Sequence, residues 1–395
     1  MGLVALLALL ALFVLPLGRP GSRLPARAAL QLRGEGPLRA GAAKARIRLA
    51  PGAPLAGYAR PSRSWDGTGE DLYARAVALE SGGARAVLVA LETLLVPAEL
   101  DEMVAARTGA GCLLLAATHT HSGPGGTWDS ALAWALGNGR FDRAQLALVA
   151  AAAAEAIGRA QAALRPAEVR WAQVAWPEGP AVSRGGASLD EPLTVARIGD
   201  AASLIVYSMH PTSAPRSRSA SADWPGAVAR LLEAGGFGTT LVLQGAGGDA
   251  TWRRGNVAPG PLVAERAEKE LRAAPLRAPS LECSVRVAAL PAPSAPPSVP
   301  WPLRRAASNL LPFFAERAAA QVEVRLSGLR LLGVPGEPAA ALGRAARADG
   351  VHALIGLADG YVGYVETPEA MRAGAGESRR AYFGPDLARA LRLAR

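Results

Sequence analysis

Short apolar runs ending in Gly or Pro alternate along the chain with longer Ala/Leu-rich stretches, and the two patterns predict different elements. Runs at 45–49, 72–80, 85–92, 112–117, 169–176, 194–198, 203–207, 240–244, 282–290, 321–334 and 351–358 predict strands. Ser81-Gly82-Gly83 joins the second and third of these as a hairpin, and Gly199-Asp200 turns the chain between 194–198 and 203–207. Helices are expected over 97–107, with Pro97 in the first turn, over 141–164, ended by Pro166, and over 225–234 and 261–273. Strands and helices alternate throughout, without a repeat of fixed period. This predicts an α/β (mixed α+β) fold of layered mixed sheets flanked by helices, in one large domain with its site at the strand ends.

The ends of the runs change the picture, because that is where the reactive side chains collect. The run Cys112 to Ala117 opens into Thr118-His119-Thr120-His121-Ser122-Gly123-Pro124-Gly125-Gly126. Residues two apart on a strand face the same way, so His119 and His121 are expected to present both imidazoles to one place. Tyr207-Ser208-Met209-His210-Pro211 repeats the arrangement, and Glu337 and Tyr364 also follow strands beside Gly or Pro. Gly245-Ala246-Gly247-Gly248-Asp249-Ala250-Thr251 lacks the spacing of a phosphate or dinucleotide loop. Its glycines either turn backbone N–H groups toward a ligand, with Thr251 offering a hydroxyl, or make a tight turn between elements. The fourth histidine, His352, lies within an apolar strand and reads as a core or edge residue.

Imidazoles with one carboxylate suit Zn²⁺, and about three protein ligands with a position left open mark a catalytic site. A metal there acidifies water and polarises a carbonyl, so the chemistry implied is hydrolysis.

Composition narrows the partners. Half of the 395 residues are hydrophobic, enough for a large core, and the net charge of +10 is carried almost wholly by Arg. A basic surface favours anionic membranes or nucleic acid. No basic run with interleaved aromatics and no nucleic-acid motif occurs, so nucleic acid is not an expected partner. Cys112 and Cys283 sit in apolar runs and read as free buried thiols. Leu3 to Leu17 is apolar but shorter than the ~20 residues a spanning helix needs. Ala26-Arg27-Ala28 follows as an A-x-A cleavage pattern, so residues 1–28 read as a signal peptide or an N-terminal anchor and the protein as exported or anchored. Residues 29–44 read as a flexible lead, and 291–300 as a stiff, proline-rich linker. The apolar cluster of Trp301, Leu303, Leu310, Leu311, Phe313 and Phe314 reads as a helix packed on the core or as a lid or lipid-facing rim.

Five ordered motifs bring a family into view: Ala117 to Gly126, Met209-His210-Pro211-Thr212-Ser213, Ser221 to Gly226, Pro335-Gly336-Glu337-Pro338, and Gly360 to Glu369 with Phe383-Gly384-Pro385. Together they resemble the catalytic N-terminal domain of the neutral/alkaline (non-lysosomal) ceramidases, over most of residues 45 to 390. The resemblance implies a zinc amidase that splits the N-acyl bond of a ceramide into a fatty acid and a sphingoid base. It implies His119, His210, Glu337 and Tyr364 as zinc ligands, His121 as proton carrier, and Arg184 as the group polarising the amide oxygen. Thr251 stands where the family has its active-site serine, and Gly376 near where it has a second tyrosine. The chain runs only a little past Pro385, so the family's C-terminal immunoglobulin-like domain is expected to be absent.

The expected function is therefore a zinc-dependent amidohydrolase of residues 45–395 acting on a lipidic, ceramide-like amide, with a membrane surface among its expected partners. The alternatives are a metal-dependent ester or phosphoester hydrolase using the same pocket, and a non-catalytic lipid-binding homologue.

Overall fold

The structure is a computed structural model that describes residues 27–58, 63–130, 133–134, 137–184, 189, 191–253, 258–300 and 303–394. The apolar segment at 3–17, Trp301, and Gly185, Gly186 and Asp190 beside Arg184 lie outside these residues.

Strand Leu113–Ala117 is buried throughout because it has a core on each side. Leu113, Leu115 and Ala117 face one cluster, while Cys112, Leu114 and Ala116 face another. It lies at the edge of a five-stranded sheet next to Ala84–Leu91, followed by Leu72–Ser81, Arg39–Ile47 and Arg165–Pro166. Helix Arg143–Ala162 covers the outer face of this sheet, with Asp142 accepting the backbone N–H of Ala144 and Gln145 as its N-cap.

The inner face packs against two further five-stranded sheets. One runs Thr239–Gln244, Ala202–Tyr207, Leu193–Ile198, Val169–Val174, Leu276–Arg277, and helices Asp223–Ala234 and Pro259–Ala273 close its far side. The other runs Leu30–Glu35, Ser280–Ala289, Ala318–Leu326, Leu329–Gly333, Ala353–Ile355. The result is the expected α/β layering. Parallel pairs occur in each sheet, between Ala84–Leu91 and Leu113–Ala117, Ala202–Tyr207 and Thr239–Gln244, and Leu329–Gly333 and Ala353–Ile355. Their C-terminal ends lead to one site.

Several expectations are corrected. Residues 29–44 are not a flexible lead: Leu30–Glu35 pairs antiparallel with Ser280–Ala289, and Arg39–Ile47 is a full strand of the first sheet. The run at 321–334 is a hairpin rather than one strand. Ser327 and Gly328 both take positive φ, 50° and 86°, as a two-residue reverse turn requires. Strand Ala353–Ile355 ends early, because Leu357 and Asp359 turn through φ of 59° each. Cys112 and Cys283 are not free thiols. They face each other across the inner interface with Cα atoms 6.3 Å apart and form a disulfide over 171 residues of chain. Each run taken alone looked like an ordinary buried strand, and only the stacking of sheets makes the two cysteines neighbours.

The proline-rich stretch after Leu290 is held down rather than free, since the N–H of Ser294 donates to the Tyr382 carbonyl at 2.9 Å and that of Ala295 to Ser308 Oγ at 2.9 Å. Helix Leu303–Leu310 buries none of its residues. Leu303, Leu310, Phe313 and Phe314 are 42–56% exposed, while Leu311 alone of the described members of that cluster packs on the core. Among the described residues no helix is long and apolar enough to cross a membrane.

Candidate active site

His119 and His121 do converge, but not through strand alternation. The strand stops at Ala117, and His119 takes a left-handed φ of 69°. The N–H of Thr118 donates to Leu91 O at 2.8 Å and that of His119 to Thr93 O at 3.0 Å, so the neighbouring strand's exit holds the turn. Arg63 supports it from behind, donating to the carbonyls of His121 and Ala56 and to Ser122 Oγ. Gly57 passes so close that an added Cβ would lie 2.4 Å from the His121 Cα.

The hydrogen bonds of the imidazoles fix their tautomers. His119 Nδ1 is 2.7 Å from Leu94 O, and His210 Nδ1 is 2.9 Å from Gly247 O and 3.0 Å from Ala250 O. A carbonyl only accepts, so both Nδ1 atoms carry hydrogen, which in the neutral ring leaves a lone pair on each Nε2. Those lone pairs meet a carboxylate. Glu337 Oε2 lies 3.0 Å from His210 Nε2 and 3.3 Å from His119 Nε2. Its other oxygen is occupied, accepting the Tyr361 hydroxyl at 2.7 Å. His121 adds a third imidazole, with Nε2 3.4 Å from His119 Nε2 and its Nδ1 without a hydrogen-bond partner among the described residues.

Burial and neighbouring charge shift three of these groups. Burial pushes the His210 imidazole down to about 4. Burial, with His119 and His210 beside it, pushes His121 well below the usual imidazole range. Burial alone would raise Glu337, but the facing His119 and His210 hold it well below the usual carboxylate range. Nitrogen and oxygen atoms 3.0–3.4 Å apart in this arrangement call for a cation between them, either the proton of a His–Glu337 hydrogen bond or a metal ion. Zinc bonds of 2.0–2.1 Å in tetrahedral array place ligand atoms roughly 3.3 Å apart, so the donor set and its spacing fit that ion.

The remaining expected residues surround this centre. Tyr364 pairs with Glu337 in a short parallel ladder, its ring stacks on His210 with centroids 6.5 Å apart, and its side chain is hydrogen-bonded to Arg184. Arg184 also donates to Glu377 Oε1 at 3.0 Å. Thr251 lies in strand Ala250–Trp252, opposite Val182 of Ala181–Ser183, one residue past the carbonyl that receives His210. The glycine-rich loop before it serves the protein itself. The N–H of Gly248 donates to Pro338 O at 2.8 Å, that of Gly245 to Tyr207 O at 3.2 Å, and the loop's carbonyls hold His210. His352 is remote from this group. Its Nδ1 accepts the Arg330 N–H at 3.1 Å and its ring packs edge-on against Trp171, as an edge residue does.

Tyr361 was not singled out from the sequence, although it lies in the same Gly-Tyr-Val-Gly-Tyr string as Tyr364. The string gives no sign of which ring turns toward Glu337. Gly376 is the converse case. Its φ is 58° and a Cβ there would lie 2.3 Å from Glu366 Oε1, so the site has closed over that position.

With this geometry established, comparisons place the chain. Residues 49–185 match the family model of neutral/alkaline non-lysosomal ceramidase, N-terminal. No curated protein matches the sequence. The crystal structure of neutral ceramidase from Pseudomonas aeruginosa superposes with a TM-score of 0.76 at 20% identity, over 90% of this chain and 73% of that one. The fold is that of neutral ceramidase. A second solved structure, a ceramidase complexed with C2, agrees with a TM-score of 0.72 at 19% identity, over 90% of this chain and 74% of that one. The family model spans the first of the strand-end motifs, Ala117 to Gly126, and the ceramidase fold extends over 90% of the chain.

Proposed function

We propose that the chain is a zinc-dependent amidohydrolase that cleaves the N-acyl bond of ceramide-like lipids. The observation that carries this reading is the meeting of two imidazole nitrogens with a carboxylate oxygen, His119 Nε2, His210 Nε2 and Glu337 Oε2, among buried groups. These residues, with Tyr364 from the adjoining ladder, would hold the metal. When bound, zinc supplies Lewis acidity toward water and the amide carbonyl. His121, neutral and next to that centre, takes a proton from the attacking water and returns it to the departing amine. Arg184 is placed beside Tyr364 to stabilise charge on the carbonyl oxygen, and Thr251 offers the hydroxyl that the related family draws from serine. Tyr361 holds Glu337 in register by occupying its second oxygen.

A lipid substrate is supported by the names of the similar structures, both ceramidases, and by the exposed apolar rim of Leu303, Leu310, Phe313 and Phe314. That rim lies near the site. Ser130 Oγ donates to Phe314 O at 3.4 Å, and Trp128, two residues away, packs edge-on against Tyr361. An exported or membrane-anchored location agrees with the N-terminal apolar segment and with the Cys112–Cys283 disulfide. Purified protein supplied with zinc is expected to release free sphingoid base from ceramide, and more slowly an amine from water-soluble N-acyl amides. Phosphate release from paired phosphoesters without amine release would overturn the assignment in favour of an esterase.

A further inference from the structure

Arg27 precedes the first strand and is nevertheless only 9% exposed. Its guanidinium donates to the Leu113 carbonyl and to Asp101 Oδ1, and lies 3.4 Å from Asp359 Oδ1. The three acceptors belong to strand Leu113–Ala117, helix Ala98–Thr108 and the loop after Ala353–Ile355. Asp359 is tied to the same strand twice more, its N–H donating to Leu115 O at 2.9 Å and its Oδ1 accepting the Leu115 N–H at 2.9 Å. The chain leaves the strand two residues before His119, and the loop reaches Tyr361 two residues after Asp359. One guanidinium thus joins, behind the site, the segments that deliver a metal-facing imidazole and the hydroxyl on Glu337.

Asp101 and Asp359 are each 2% exposed, and among the described residues Arg27 is the one cation paired with either. Burial pushes both carboxyl groups up even with Arg27 present. Without it, two acidic groups would share a dry interior with no counter-charge, and breaking a buried pair in this way is strongly destabilising. The A-x-A pattern at Ala26-Arg27-Ala28 invites cleavage after Ala28, which would remove this residue. We propose that Arg27 is a positioning residue of the active site and is retained in the mature enzyme, so that any removal of the N-terminal apolar segment occurs ahead of residue 27. Only the kinetic part of this assignment rests on the hydrolase reading.

The test is made on the full chain in an exporting host, by intact mass of the purified product, thermal melting and steady-state kinetics. The mature mass is expected to include Arg27. Arg27→Met is expected to lower Tm by roughly 5 °C or more or to prevent folding. Adding Asp101→Asn and Asp359→Asn to that variant removes the stranded charges and is expected to recover most of the loss. Arg27→Lys keeps the charge but not the fork. It is expected to fold, with kcat per folded molecule down roughly tenfold or more and KM within about twofold, as a shifted catalytic group requires. A folded, fully active product that begins at Ala29, or Arg27→Met with unchanged Tm and kcat, would overturn the proposal. If the unsubstituted enzyme turns nothing over, the hydrolase reading fails, while mass and melting still decide whether Arg27 is kept.

Discussion

Tyr361 shows how much of this site is decided by single hydrogen bonds. Glu337 has two oxygens, and only because one accepts the Tyr361 hydroxyl does the other stand free toward His119 and His210. Removing that donor leaves the ligand set intact but loosens its orientation. Tyr361→Phe is expected to weaken zinc affinity roughly 10- to 100-fold, measured by chelator competition, whereas unchanged affinity would show that Glu337 is fixed by its backbone alone. Gly376 was legible as a departure from the related family but not as a requirement of this fold. Its left-handed backbone strains any side chain, a Cβ there would press on the Glu366 carboxylate, and Glu377, the next residue, takes up Arg184.

At the scale of elements, the apolar runs revealed most strands because period and length suffice where a strand is buried on both faces. They failed where a turn was hidden inside an apolar run. Ser327-Gly328 is a two-residue break between apolar Leu326 and Leu329, and two positive φ values there fold the run into a hairpin. The link between strands and helices also carries charge. Glu191 sits under helix Ala340–Ala348, accepting from Arg347 at 2.8 Å and from Ser208 Oγ at 3.1 Å. Burial pushes its carboxyl up to about 7, against the pull of Arg347. A carboxyl raised on folding binds its proton more tightly in the native state, so its contribution to stability is full below the ordinary range and is lost as pH rises toward 7. Glu191→Gln is therefore expected to flatten the fall in Tm between about pH 4.5 and 7. An unchanged slope would mean that Arg347 keeps Glu191 ionised throughout.

Across the whole molecule, the location of the site was legible and its wiring was not. His119 and His210 each follow a strand, Glu337 and Tyr364 pair in a short ladder beyond the sheet, and layered parallel strands bring these segments together. The Cys112–Cys283 disulfide, the strand at Leu30–Glu35 and the Arg27 cluster depend on which sheet stacks on which, a matter on which local patterns are silent. The exposed Phe313 and Phe314 belong to this scale as well, since under the proposed function an apolar rim beside the site acts only where substrate is presented on a surface. Phe313→Ser with Phe314→Ser is expected to cut turnover of vesicle-borne ceramide severalfold while leaving soluble short-chain amides unaffected. Equal loss on both would assign the rim to folding instead.

The central claim is that the convergent lone pairs of His119, His210 and Glu337 hold a catalytic zinc ion. Metal analysis of the purified protein, paired with amine release from ceramide, tests it most directly. One zinc per chain is expected, lost together with activity in His119→Ala and restored to the unsubstituted apoprotein by added zinc. Protein that releases amine at full rate after exhaustive chelation, or that never retains zinc, would contradict the account.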